Sequence, residues 1–211
     1  MLYSCNKAEA PRVFMNMETV LAVCAGLGLA AACGFRVFVP MLIMSIAAQT
    51  GHLTVTPGMA WIGSTPATIT LAIATALEIG GYYIPWLDHF LDTIATPAAV
   101  VAGTIVTASM VTHVDPYLRW TLAVIAGGGI AGAVQGTTVL ARGVSLATTG
   151  GLGNPIVATL ELGGSVLASL AALIAPLAAL ILIMAVISFL ATRAFSRRRP
   201  PVINPQTLNR A

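Results

Sequence analysis

The stretches "LAVCAGLGLAAA" (Leu21–Ala32) and "LAVIAGGGIAGA" (Leu122–Ala133) agree at eight of twelve positions without a gap. Each lies inside a longer apolar run that carries almost no charge. The runs at about 19–48, 67–84, 98–112, 120–141 and 156–191 mostly reach the ~17–25 residues a helix needs to cross hydrocarbon. The chain is 57% hydrophobic and 8% charged, with a mean hydropathy of +0.91, whereas a soluble domain carries about 25% charged residues. Lipid offers the backbone no hydrogen bonds, and the weak ten-residue alternation of a barrel is missing. The sequence therefore predicts an all-α, polytopic helical membrane protein.

A second match follows in the same order. "LEIGG" (77–81) is repeated as "LELGG" (160–164), and "TPAAVVA" (96–102) weakly matches "APLAALI" (175–181). Three matches in register indicate an internal duplication. Spans are expected at about 18–49, 66–84 and 98–113 in the first half, and at 118–148, 155–174 and 177–195 in the second. Three crossings per half invert the second copy, the plan of many secondary transporters. This gives one membrane domain over 17–195, with repeats at about 18–113 and 118–195. Thr65-Pro66, Asp115-Pro116 and Asn154-Pro155 each set a capping residue before proline at a helix start. The rival topology makes 18–49 and 118–148 re-entrant hairpins, bent near Gly34-Phe35-Arg36 and Gln135-Gly136, with four crossings; it requires protein to cover both bends.

Charge lies in the tails. Lys7 and Arg12 sit in an N-terminal tail at 1–16, and Arg197, Arg198 and Arg199 in a basic tail at 196–211, just after Arg193. The positive-inside rule puts both ends in the cytoplasm and reads the arginine run as a stop-transfer anchor, not a nucleic-acid patch. Residues 20–33 resemble a lipoprotein signal, but the apolar run continues to Ala48, past the usual h-region of about 7–15 residues. Met15 and Met17 offer alternative starts. Cys5, Cys24 and Cys33 show no metal or disulfide spacing, the three histidines form no ligand set, and no cofactor motif is present. In "IPWLDHFLDTIATP" (84–97), Leu87, Phe90, Leu91 and Ile94 share one face and Asp88, His89 and Asp92 mostly the other, which predicts a short interfacial helix. Trp61, Tyr82, Tyr83, Trp86, Tyr117 and Trp120 suit an aromatic belt.

Two of the seven acidic residues, Glu78 and Glu161, stand in apolar helices, where a charge costs about 2.5–3.5 kcal/mol on insertion scales and usually faces an interior. Inverted repeats bring them to similar depth, as one shared ion or substrate site. Arg36 and Arg142 supply counter-charges or anion contacts. Thr75 and Ser165 are candidate site residues on the same faces as the glutamates, and Asn154 opens the helix after "TTGGLGNP" (148–155), which reads as a turn or an anion-holding amino terminus. Thr138, Arg142, Ser145 and Thr149 form a polar stripe whose hydroxyls best suit backbone bonding. Asp88 and Asp92 form a possible interfacial site, with the polar-face reading preferred over a shared metal.

"GFRVFVP" (34–40), "E…IPWLDHFLD" (78–92) and "TTGGLGNPIVATLE" (148–161) resemble the signature blocks of a bacterial inner-membrane family, the domain of unknown function 4126. The resemblance covers about 18–192 and implies membership and architecture without an activity. It also implies an acidic-basic pair where this chain has Tyr82 and Tyr83. The expectation is an inner-membrane transporter or channel for an ion or small polar solute, without cofactor, with lipid and a possible second copy as partners. The alternatives are an intramembrane enzyme acting on lipid head groups and a non-catalytic scaffold.

Overall fold

The computed structural model describes residues 17–112 and 114–196, leaving out the side chains of residues 85, 86, 88, 89, 187, 190, 191 and 194–196. The tail at 1–16, and the tail at 196–211 beyond its first residue, lie outside this description, as does His113. The described chain is all helical: α1 (Met17–Phe35), α2 (Phe38–Gln49), a 3-10 turn (Pro57–Gly63), α3 (Thr65–Gly81), α4 (Pro85–Met110), α5 (Pro116–Leu122), a π segment (Ala123–Gly128), α6 (Gly129–Thr149), α7 (Asn154–Ile174) and α8 (Pro176–Ser196). Among the described residues, Met17–Phe35, Phe90–Met110, Pro116–Thr149 and Asn154–Ile174 are long and apolar enough to cross a membrane. The 3-10 turn and α3, bent by 62°, make a fifth such span if taken together. The chain is a multi-pass membrane protein.

Helices α3 and α7 are apolar outside and carry polar groups on their buried faces. On α7, Asn154, Ala158, Glu161, Ser165, Ser169 and Ala172 are buried at helical spacing, while Ile156, Leu160, Leu167 and Ile174 face out. On α3, Thr75 and Glu78 are buried while Ile69, Ile73 and Leu77 face out. In water such a face would be a liability; in lipid it is the solvated one.

At the centre is α1, packed against α4, α6, α7 and α8. Its run from Leu29 to Cys33 has no exposed surface. Small residues make this possible, because association in lipid depends on close van der Waals approach. A Cβ on Gly34 would come within 2.6 Å of the Ala131 carbonyl and 2.5 Å of Val134 Cβ, so α1 and α6 touch there backbone to backbone.

Several expectations change. The span at 18–49 is two helices, α1 and α2, broken at Arg36 and Val37. No matching break occurs at Gln135-Gly136, where α6 runs straight through. The stretch 84–97 is not a separate interfacial helix. It is the first part of α4, which continues through Pro97, since a spanning helix tolerates one lost N–H when its surroundings compensate. Asp115 caps α5 by accepting from the Tyr117 N–H at 2.9 Å. The cap of α3 is Ser64, one residue before the expected threonine, and Asn154 is the first residue of α7 with no side-chain cap before it.

The packing at Gly34 makes a differential prediction. Gly34→Ala forces backbone contacts apart and should lower stability by about 1–3 kcal/mol. Gly136→Ala, with open space around the new methyl, should be neutral or gain up to about 1 kcal/mol from helix propensity. Thermal unfolding in detergent distinguishes them, and equal midpoints would contradict this packing.

Candidate functional site

The break after α1 leaves the first amides of α2 without helical acceptors, as at every helix start. Glu78 of α3 satisfies them. Its Oε1 accepts from the Val37 N–H at 2.7 Å and its Oε2 from the Phe38 N–H at 3.1 Å. A helix amino terminus carries roughly half a positive charge, so this buried carboxylate is held as a bound anion would be. The residue just before those amides, Arg36, turns to α7, where its Nη2 donates to the Ala158 carbonyl at 2.9 Å and lies 3.7 Å from Glu161.

Glu161 also takes a two-pronged bond from Arg142 of α6: Nε donates to Oε1 at 3.1 Å and Nη2 to Oε2. Paired donation of this kind is the strong form of an arginine–carboxylate contact. The remaining nitrogen of the guanidinium, Nη1, donates to Asp92 Oδ1 at 2.9 Å. One carboxylate thus joins two arginines, and one of those arginines joins two carboxylates.

Tyr82, one turn after Glu78, completes the cluster. Its ring centre lies 3.9 Å from the Arg36 guanidinium carbon and 4.0 Å from that of Arg142. Tyr82 is thus in cation–π contact with both arginines. The aromatic ring attracts both cations. Glu78 feels the charge of both arginines as well.

The structure brings Arg36, Glu78, Arg142 and Glu161 together and adds Asp92 and Tyr82. Asp92 was expected on the polar face of an interfacial helix; because α4 is continuous, it points into the bundle and pairs with Arg142. Tyr82 was expected in the aromatic belt, but it is 4% exposed. Its signal was its position on the Thr68, Thr75, Glu78 face, at successive steps of seven, three and four residues. Ser165 serves packing, its hydroxyl donating to the Ala32 carbonyl at 3.1 Å. Thr75 is buried with no hydrogen-bond partner for its hydroxyl, and Asn154 is buried at the start of α7. The side chain of Asp88 lies outside the described residues.

"TTGGLGNP" forms a turn. Gly150 and Gly151 have φ of 62° and 90°, and the Gly153 N–H donates to Thr149 Oγ1 at 3.0 Å. The first amides of α7 are engaged by Gly151 and Gly153 carbonyls, so the helix start that holds an anion is that of α2. A cavity of about 500 Å³ between α6, α7 and α8 is lined by groups such as Val134, Leu167 and Leu182 and contains none of the charged residues.

Removing one partner from a buried pair leaves the other uncompensated, at about 3–5 kcal/mol. Arg142→Ala should therefore be strongly destabilising, and adding Glu161→Gln should recover part of the loss. A thermal double-mutant cycle reads the coupling, and strictly additive losses would refute the pair.

No curated protein and no solved structure matches the chain. The family model for a domain of unknown function (DUF4126) matches residues 23–197, and the chain belongs to that family.

Proposed function

We propose that the chain is a small secondary transporter or channel whose buried cluster binds a proton or small cation. The charge count carries this reading. Arg36 and Arg142 pair with Asp92 and Glu161, and Glu78 is held nearby by the α2 amides, two positive side chains with three carboxylates among the described side chains. An uncompensated charge away from water is expensive, and uptake of one cation balances the set. The helix break supports it too, since transporters commonly bind ions at discontinuous helices. Asp92 already engages Arg142, which favours an ion path over a metal held with Asp88 for lipid-head-group chemistry.

The reading includes two inverted three-helix halves, six crossings and both termini in the cytoplasm of a bacterial inner membrane. Supporting it, Tyr82 and Asp92 flank the α3–α4 turn, and Arg142 and Glu161 flank the α6–α7 turn. Their contacts put those turns at one end of the bundle, where six crossings require them; the four-crossing hairpin topology separates them. Single cysteines at His52 and Ile84 should label from opposite sides, His52 from outside. Labelling from one side would reject six crossings.

Transport is tested with purified protein in liposomes, a panel of ions and a pH-sensitive dye. The unmodified protein should move protons in response to at least one ion gradient. Glu161→Gln and Asp92→Asn should each reduce that flux to the level of empty liposomes while the helical spectrum is unchanged. Full flux in both variants, or none from the unmodified protein across the panel, would overturn the proposal.

A further inference from the structure

The cavity of about 500 Å³ between α6, α7 and α8 takes no part in the charged cluster and has a different chemistry. Gly164 of α7 lines it, and a Cβ added there would meet nothing within 4 Å. Leu167 of α7 and Leu182 of α8 line it too and are 70% and 65% exposed. It is therefore a groove open to the lipid-facing surface of the bundle. Thr137, the polar residue of its wall, donates its hydroxyl to the Ala133 carbonyl of its own helix at 3.0 Å. An apolar space with so few polar partners does not hold water, and in a bilayer hydrocarbon fills it.

Two dimensions say which hydrocarbon. Along α8 the groove is lined from Ala179 to Val186, ~10 Å at the rise of an α-helix, which gives a mean cross-section of roughly 50 Å². A helix with its side chains is ~10–12 Å across and does not fit, whereas one or two extended acyl chains do. The second dimension is the reach to charge. Ala179, Leu182 and Val186 form one stripe of α8, and Arg193 lies seven residues beyond Val186, within about 20° of it round the helix and ~10 Å further along. Arg193 is exposed, its guanidinium carbon 5.3 Å from the Phe189 ring centre, and Arg197, Arg198 and Arg199 follow in the sequence. From Ala179 to Arg193 is ~21 Å, about half the ~40–45 Å thickness of a bilayer with its head groups. Basic residues next to a membrane span attract anionic head groups.

We propose that this groove is a binding site for an anionic phospholipid. An acyl chain lies between α7 and α8 over Gly164, and the phosphate head group meets Arg193. The apolar wall sets the chain, the narrow cross-section excludes a helix of a second copy, and the arginine at the end of the same stripe selects the charge of the head group. The site is separate from the charged cluster and does not depend on the ion-path reading.

The test uses the full-length chain in phosphatidylcholine vesicles doped with phosphatidylglycerol that carries a photoactivated diazirine on one acyl chain. After illumination, peptide mapping should find the cross-links concentrated on the α7 and α8 segments that hold Leu167 and Leu182. Unlabelled phosphatidylglycerol should compete better than phosphatidylcholine. Gly164→Leu, which fills the groove from a position with open space, should lower capture to the level of the other lipid-facing helices. Gly143→Leu, also in open space but off the groove, should leave capture unchanged. Arg193→Gln should cut the advantage of phosphatidylglycerol about fivefold, the effect of one basic residue beside an anionic surface. If Gly164→Leu does not yield folded protein, Leu182→Trp takes its place. Labelling spread evenly over all lipid-facing helices and unmoved by the filling variant would overturn the site. A groove without labelling in a chain that sediments as a dimer would assign it to a second copy and overturn it as well. An unchanged lipid preference in Arg193→Gln would overturn the choice of an anionic head group. Ion flux enters none of these readouts, so the groove stands or falls apart from the transport reading.

Discussion

Glu161 sits between two arginines, and much of the architecture is arranged so that it can. A carboxylate in a membrane domain is tolerable when its charge is answered at once and its lone pairs are used. Arg142 answers it with a two-pronged bond from α6, and Arg36 approaches from the break between α1 and α2. Two cations converging on one carboxylate would repel each other, and cation–π attraction to the Tyr82 ring beside both offsets part of this. In this chain a neutral aromatic ring stands where the family resemblance implies an acidic residue.

The helix break follows from the same constraint. An unbroken helix through residue 36 would use the amides of Val37 and Phe38 internally. Ending α1 at Phe35 frees them for Glu78, so a buried carboxylate and an unsatisfied helix start resolve each other. The close approach of α1 and α6 at Gly34 holds that break against the helix carrying Arg142. Backbone contact, helix start and ion pairs form one unit, and a change in any part is felt in the others.

Asp92 depends on helix continuity. If α4 began after Pro97, Asp92 would belong to a surface element with water around it. Because α4 begins at Pro85 and runs through Pro97, Asp92 lies one to two turns inside a spanning helix and is carried to Arg142. The cluster thereby gains its third carboxylate and the imbalance on which the transport reading rests.

The membrane class, the helical content and the four central charged residues were legible in the sequence, because each follows from local composition. Long uncharged runs exclude a soluble fold, and Arg36, Glu78, Arg142 and Glu161 are conspicuous where an ion is costly. The partners of those residues were not legible. Periodicity showed that Tyr82 shares the face of Glu78, but a tyrosine near a helix end looks the same at a lipid interface as beside two guanidiniums. Proline at 97 signalled a helix start by propensity, and the surrounding bundle overrode it. "TTGGLGNP" carried the visible anion-site pattern, yet the Glu78 carboxylate is held at the start of α2, where "GFRVFVP" has no anion-binding pattern. Propensity and hydrophobic pattern are properties of a few neighbouring residues. Pairing of charges 19 to 125 positions apart in the chain is decided by how the helices cross, and only the tertiary structure sets that.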